Sequence, residues 1–243
     1  MTRLSVNLNK IALLRNARGS DYPNLLAMAR RAVAAGVHGI TVHPRPDQRH
    51  IRHDDVPVLA ELCAGLANVE FNIEGNPTRE FLDLVIAAQP DQCTLVPDDP
   101  GQLTSDHGWN LEGEHGALDE AVAALSGAGI RVSLFMDPVI EGIDRVPETG
   151  AHRVELYTES YARAFAADRP ETELERFAAA ARRAGEVGLG VNAGHDLNLD
   201  NLGLFLARVP DVLEVSIGHA IVVESFDHGF EGTLERYLAI VNG

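Results

Sequence analysis

A few polar residues in this sequence fall where a protein could use them for proton transfer and anion binding. His43 and His195 offer imidazoles that change charge near neutral pH. Glu70 lies in Val69-Glu70-Phe71-Asn72-Ile73, where the apolar residues point to one wall and Glu70 and Asn72 to the other. A carboxylate on an interior face costs several kcal/mol to bury unless it is paired or protonated. Such burial raises its pKa toward the range of a general acid or base. Glu155, in Arg153-Val154-Glu155-Leu156, poses the same question. For both, a buried ion pair is the competing reading.

Anion-binding chemistry has its own signals. Two Gly-His pairs close the chain, Gly194-His195 and Gly218-His219. Glycine lets backbone N–H groups approach an anion closely, and a helix N-terminus adds to the attraction. Basic residues cluster twice, as Arg15 and Arg18, and as Arg45, Arg49, His50, Arg52 and His53. Arginine binds phosphate bidentately, although a solvated basic loop is the plainer reading. Asn7, Asn9 and Lys10 follow the first apolar run. Lys10 could hold phosphate or, if desolvated, form a Schiff base. Metal chemistry is not expected, because Asn7-x-Asn9 stands where a His-x-His pair would be wanted and the histidines lack ligand spacing.

These residues need elements to position them. Short β-branched runs alternate with longer amphipathic segments, the pattern of a parallel sheet. The strand candidates are Leu4–Leu8, Gly39–His43, Val69–Ile73, Cys93–Val96, Arg131–Phe135, Arg153–Leu156, Gly190–Asn192 and Val215–Ile217. Eight strands close a barrel. Helices are expected over Tyr22–Ala35, Asp55–Leu66, Arg79–Ala88, Leu118–Ala128, Val139–Val146, Thr172–Val187, Asn201–Arg208 and Leu234–Val241. Gly36, Gly129, Gly150 and Gly188 fall where helices need left-handed C-caps. The expectation is a single (β/α)8 TIM barrel over residues 1–243 with extra short helices. Its active site would lie at the C-terminal strand ends. An open doubly wound sheet fits less well, since no Gly-rich fingerprint follows the first strand.

Composition narrows the partners. The chain of 243 residues carries a net charge of −16, with 36 acidic and 20 basic residues. So acidic a surface argues against nucleic acid and anionic membranes. No apolar stretch reaches the ~18 residues of a membrane span. The N-terminus shows no signal-peptide run, and Cys63 and Cys93 read as buried thiols of a reducing compartment. A cytoplasmic location is therefore expected.

The ordered set of segments resembles the pyridoxine 5′-phosphate synthase family of vitamin B6 synthesis. It comprises Val6-Asn7, Leu14-Arg15-Asn16-Ala17-Arg18-Gly19, His43-Pro44-Arg45, Arg49-His50-Ile51, Asn68-Val69-Glu70, Leu95-Val96-Pro97, Glu155, Val191-Asn192-Ala193-Gly194-His195 and Ile217-Gly218-His219. The resemblance implies a homo-octameric barrel joining 1-deoxy-D-xylulose 5-phosphate to 3-amino-2-oxopropyl phosphate, with no cofactor. By resemblance, His43 and Glu70 accept protons, His195 donates one and Glu155 supports the transition state. Asn7, Arg18, Arg45, His50, Thr104, Gly218 and His219 bind substrate or phosphate, and Lys10, Gly194 and Asp196 are counted with them.

The sequence departs from the family at Asn9-Lys10, at Asp196, at Tyr157, and by an apparent lengthening of the loop at Glu74-Gly75-Asn76-Pro77-Thr78. Two other readings stay open: a phosphosugar aldolase or epimerase using Lys10 or Glu70, and a non-catalytic metabolite-binding barrel. The loop from Pro97 to Trp109, with no helical period, is expected to act as a lid carrying Thr104.

Overall fold

In the computed structural model, eight parallel strands close into one barrel in sequential order. The structure describes residues 1–99, 101, 102, 104–113 and 115–243. The strands are β1 (Arg3–Asn7), β2 (Gly39–Val42), β3 (Glu70–Gly75), β4 (Gln92–Leu95), β5 (Arg131–Met136), β6 (Arg153–Tyr157), β7 (Gly190–Gly194) and β8 (Val212–Ile217). The helices among the described residues are α1 (Asn9–Asn16), α2 (Leu25–Ala34), α3 (Asp55–Ala64), α4 (Arg79–Ala88), α5 (Gly116–Gly127), α6 (Ile140–Ile143), α7 (Val146–Thr149), α8 (Glu159–Ala166), α9 (Glu171–Glu186), α10 (Leu202–Arg208), α11 (His219–His228) and α12 (Phe230–Asn242).

Period-two alternation builds two different layers from the same strands. The outward residues Val6, Ile40, Ile73, Leu134, Val154 and Ile217 are fully buried against the helices. The inward residues are polar. Ser5 and Thr41 hydroxyls lie 2.7 Å apart, Thr94 Oγ1 donates to Asn72 Oδ1 at 3.2 Å, and Arg131 Nε donates to Gln92 Oε1 at 2.9 Å. Branched aliphatic side chains usually fill such barrels; here hydrogen bonds do, so the hydrophobic core is the shell between barrel and helices.

Local chemistry sets the helix ends. Asn24 caps α2 by accepting from Ala27 N, and Thr78 caps α4 by accepting from Phe81 N. Gly36, Gly129, Gly150 and Gly188 all adopt positive φ, the left-handed turn expected of them. The expected strands and helices are present, except that two one-turn helices, α6 and α7, stand in place of the single helix expected over Val139–Val146, and two further kinds of difference appear. β3 runs on to Gly75, so Glu74 and Gly75 belong to the strand and not to a lengthened loop. Three helices, α1, α8 and α11, follow directly on strand ends. The sequence of α11 includes Ile221-Val222-Val223, a β-branched run that masks its helical period.

Candidate functional site

The C-terminal strand ends gather most of the expected residues. Asn7, ending β1, donates to Glu74 Oε2 at 3.2 Å, and its own Oδ1 accepts from Asn9 N at 3.0 Å. Asn9 Oδ1 in turn accepts from His43 N at 2.9 Å. The Asn7-x-Asn9 pair thus ties the ends of β1, β2 and β3 together. Among the described residues no group of three or more His, Cys, Asp or Glu could hold a metal ion.

Glu70 is not at this mouth. It opens β3 at the opposite end of the barrel, where its carboxylate bridges the guanidinium groups of Arg3 and Arg131. The acid at the mouth is Glu74, on the same face of the strand four residues later. Glu74 is buried, and burial pushes its carboxyl well above the usual range. The carboxylates of Glu155, Asp98 and Glu214 push the same way, and Arg45 opposes them. The sequence held a signal for this. Gly75-Asn76-Pro77 is turn chemistry, so the last inward residue before it is Glu74.

Glu155 is central to β6 and 4% exposed. Burial first, and then the charge of Glu214, push it to about 8, while a hydrogen bond from Thr94 pulls it down. Gly194 makes room for it: a Cβ there would sit 2.8 Å from Glu155 Oε1 and 2.8 Å from Ser216 O. The Gly194 carbonyl accepts from Thr158 Oγ1 at 2.6 Å.

His43 is buried, and desolvation, reinforced by Arg45 and His50, holds its imidazole neutral far below the usual range. His50 stands beside it, with ring centroids 6.0 Å apart. Burial, with Arg45 and Arg49 close by, pushes His50 down to about 4. His195 follows Gly194 with φ of +96°, a conformation rare and costly outside glycine that concentrates at functional sites. Its Nε2 lies 3.0 Å from Thr104 Oγ1, and Tyr157 meets its ring edge-on at 5.2 Å. Burial lowers its pKa against the nearby Asp196 and Asp98.

Arg45 is buried and paired with Asp98, and donates to Gln102 O at 3.0 Å. Ser105 Oγ also donates to Asp98, at 2.7 Å. These bonds fasten the loop after β4 to the loop after β2, and Trp109 Nε1 anchors its far end on Leu95 O at 2.9 Å. Thr104 already stands against His195 here; Pro100 and Leu103 of the expected lid lie outside the described residues. Gly218 precedes α11, whose first turn no side chain caps. A Cβ at Gly218 would lie 2.9 Å from Asn7 O, so glycine brings these backbone N–H groups up to the mouth.

The remaining expected residues are on the surface. Lys10, Arg18, His219 and Asp196 are exposed. An exposed Lys10 lacks the desolvation that a Schiff-base lysine needs. Arg15, which sequence reasoning left as part of a basic loop, is almost fully buried. It donates to both carboxylate oxygens of Asp55, at 2.6 and 2.8 Å, and to His50 O at 3.1 Å. It therefore holds the loop that carries His50.

Comparison with known proteins adds independent findings. The family model described as pyridoxal phosphate biosynthesis protein PdxJ matches residues 4–243. A pyridoxine 5′-phosphate synthase of Xanthomonas oryzae pv. oryzae is 53% identical over 249 residues, covering 100% of this chain and 97% of the relative. One from Christiangramia forsetii is 48% identical over 241 residues, covering 99% and 100%. Among solved structures, 3-keto-L-gulonate-6-phosphate decarboxylase from Vibrio cholerae aligns with a TM-score of 0.65 at 9% identity, covering 99% of this chain and 98% of that one. Tryptophan synthase from M. tuberculosis aligns at 0.67 and 14%, covering 100% and 94%. At such identities the structural likeness speaks to the barrel alone.

Proposed function

The chain belongs to the PdxJ family and is an enzyme of vitamin B6 synthesis, and from that premise we propose how its mouth makes pyridoxine 5′-phosphate. It joins 1-deoxy-D-xylulose 5-phosphate to 3-amino-2-oxopropyl phosphate and releases inorganic phosphate and water. The observation that carries this reading is the ring of proton-handling groups around one mouth. Glu74 and Glu155 are buried carboxyls inclined to keep their protons, and His43 and His195 are imidazoles inclined to stay neutral.

Condensing an amine with a ketone, losing water and eliminating phosphate requires several proton transfers. Burial brings the two carboxyls up toward neutral pH and keeps the two imidazoles neutral, and such groups supply these transfers. Glu74 and His43 take protons, His195 gives one, and Glu155 supplies or withholds one from the barrel interior. In this assignment Glu74 takes the part that the sequence resemblance gave to Glu70.

Two phosphorylated substrates need two anion sites. The amides from Gly218 into α11, with Gly194 and His219, form one. Arg45 and His50 form the other, with Asn7 and Thr104 at the rim and Lys10, Arg18 and Asp196 shaping the approach. Arg45 exchanges Asp98 for phosphate when substrate arrives.

The exposed apolar residues Leu13 and Leu14 of α1 and Val223 and Phe226 of α11 lie on neighbouring helices. They support self-association, for which we propose the homo-octamer; light scattering of the eluted protein tests it. No described helix is long and apolar enough to cross a membrane, and we propose a cytoplasmic location.

Incubation of the purified protein with both substrates should yield pyridoxine phosphate and free phosphate in equal amounts. Release of phosphate from either substrate alone, with no pyridoxine phosphate, would overturn the assignment.

A further inference from the structure

β7 and β8 lose register once. Val191 pairs with Val212, but the next residue, Asn192, pairs with Glu214. The extra residue, Leu213, is 40% exposed, whereas Glu214 is 2% exposed. Bulges of this kind re-aim side chains. This one brings Glu214 abreast of Asn192, which is itself abreast of Glu155 on β6. Glu155, Asn192 and Glu214 therefore sit side by side on three adjacent strands.

Asn192 is engaged elsewhere: its Oδ1 accepts from Arg153 at 3.1 Å and its Nδ2 donates to Gln92 at 3.4 Å. Glu155 reaches over Gly194 of β7, where Ser216 of β8 also packs: its Oε1 and Ser216 Cβ lie 2.8 and 3.4 Å from the point where a Cβ on Gly194 would be. Ser216 Oγ, buried two residues after Glu214, has no hydrogen-bond partner among the described residues.

The cations are unevenly placed. Burial raises the proton affinity of Glu214 most, to about 7, and Glu70 on β3 adds to it, while Arg153 on β6, Arg131 on β5 and Arg3 on β1 stabilise its charge and oppose the rise. Glu155 is left with carboxyls as its charged neighbours: Glu214, and Glu74, whose carboxyl its charge also raises.

We propose that Glu214, which lies outside the mouth, is a positioning residue that keeps the proton on Glu155. Two buried carboxyls in one barrel interior whose charges act on each other do not both ionise easily, and they titrate as a pair. The arginines at the barrel base make Glu214 the first to lose its proton, and its charge then holds the proton on Glu155. The base of the barrel thereby sets the acid strength of a group in the interior beneath its mouth. The inference rests on the reading of Glu155 as part of the site.

The test is a carboxyl carbon-13 titration of the ligand-free, glutamate-labelled protein in wild type, Glu214→Gln and Glu155→Gln. In Glu214→Gln the proton affinity of Glu155 should fall about tenfold, the coupling expected of interacting sites. In Glu155→Gln, which assigns the Glu155 resonance, Glu214 should titrate as in wild type, because it ionises while Glu155 is still neutral. The alkaline limb of the kcat profile should move to lower pH in Glu214→Gln with KM unchanged, and Glu214→Asp should restore it. An unmoved Glu155 titration in folded Glu214→Gln overturns the proposal. If that variant does not fold, a wild-type titration in which Glu155 ionises before Glu214 does so. A wild-type protein that makes no pyridoxine phosphate defeats the assigned reaction and leaves the titration result standing.

Discussion

Glu70 and Glu74 share one face of β3 but serve opposite ends of the barrel: Glu70 bridges Arg3 and Arg131, while Glu74 accepts a hydrogen bond from Asn7. The two carboxyls should therefore respond oppositely to the same substitution. Glu74→Gln should lower kcat by about 10²–10⁴-fold, the usual value of one positioned acid or base, with little change in Tm. Glu70→Gln should keep turnover and lose about 2 kcal/mol of stability, since two charged hydrogen bonds are weakened. Steady-state kinetics and thermal melts of the two variants check this; an inactive Glu70→Gln beside an active Glu74→Gln would reverse the assignment.

Arg45 and Asp98 form a buried pair at the mouth. Arg45→Ala should weaken binding of phosphorylated substrate and also destabilise the fold by about 3–5 kcal/mol, because it strands Asp98 without its cation. The double variant with Asp98→Ala should recover most of the stability and none of the affinity. Calorimetric titration with each substrate, set beside melts of the three variants, separates the effects. If the double variant binds as wild type does, Arg45 is a fastener of loops and not a phosphate ligand.

The barrel was legible because alternation survives in short strands: Val6, Ile40 and Val154 mark the outer shell without any structural help. The site was legible where a residue type announced its position, as His43 and Gly194-His195 did at strand ends. Glu70 was misleading for a physical reason. Glu70, Asn72 and Glu74 all point inward, and only the strand's end decides which reaches the mouth. Asp98 was not singled out from its loop, because its partner Arg45 is 53 residues away. Glu214 was hidden by the bulge at Leu213, which no local propensity records.

His50 gives stability a pH dependence of definite sign. Its folded pKa is about 4, below the usual 6.5, chiefly because it is buried. Between these values the unfolded chain binds a proton that the folded one does not, so stability rises with pH there. The contribution is complete above about pH 6.5 and is lost as pH falls toward 4. His43, lowered by the same cause, adds to it. Thermal melts should show a Tm that declines through this window, and His50→Gln should make the decline shallower. Parallel curves for the two proteins would mean that His50 does not titrate as its burial requires.

Gly194 offers the sharpest separation between packing and chemistry. An alanine Cβ there would lie 2.8 Å from Glu155 Oε1 and from the Ser216 carbonyl. The carbonyl belongs to β8 and cannot easily move, so the Glu155 side chain must yield, weakening its hydrogen bond from Thr94. Overpacking of this kind costs about 1–3 kcal/mol, which a barrel of this size survives. Gly190→Ala is the matched control. Its Cβ meets Leu213 Cδ1 at 2.9 Å and Arg153 Cγ at 3.0 Å, a comparable clash with flexible side chains near the barrel base. Both variants should lose stability, but only Gly194→Ala should lose kcat, by about tenfold or more if it misplaces one acid–base group. Because that loss runs through Glu155, adding Gly194→Ala to Glu155→Gln should lower kcat little further, the non-additivity expected of groups in contact. Wild-type turnover in Gly194→Ala, or losses that simply add in the double variant, would show that the glycine makes no room for Glu155 that the reaction needs.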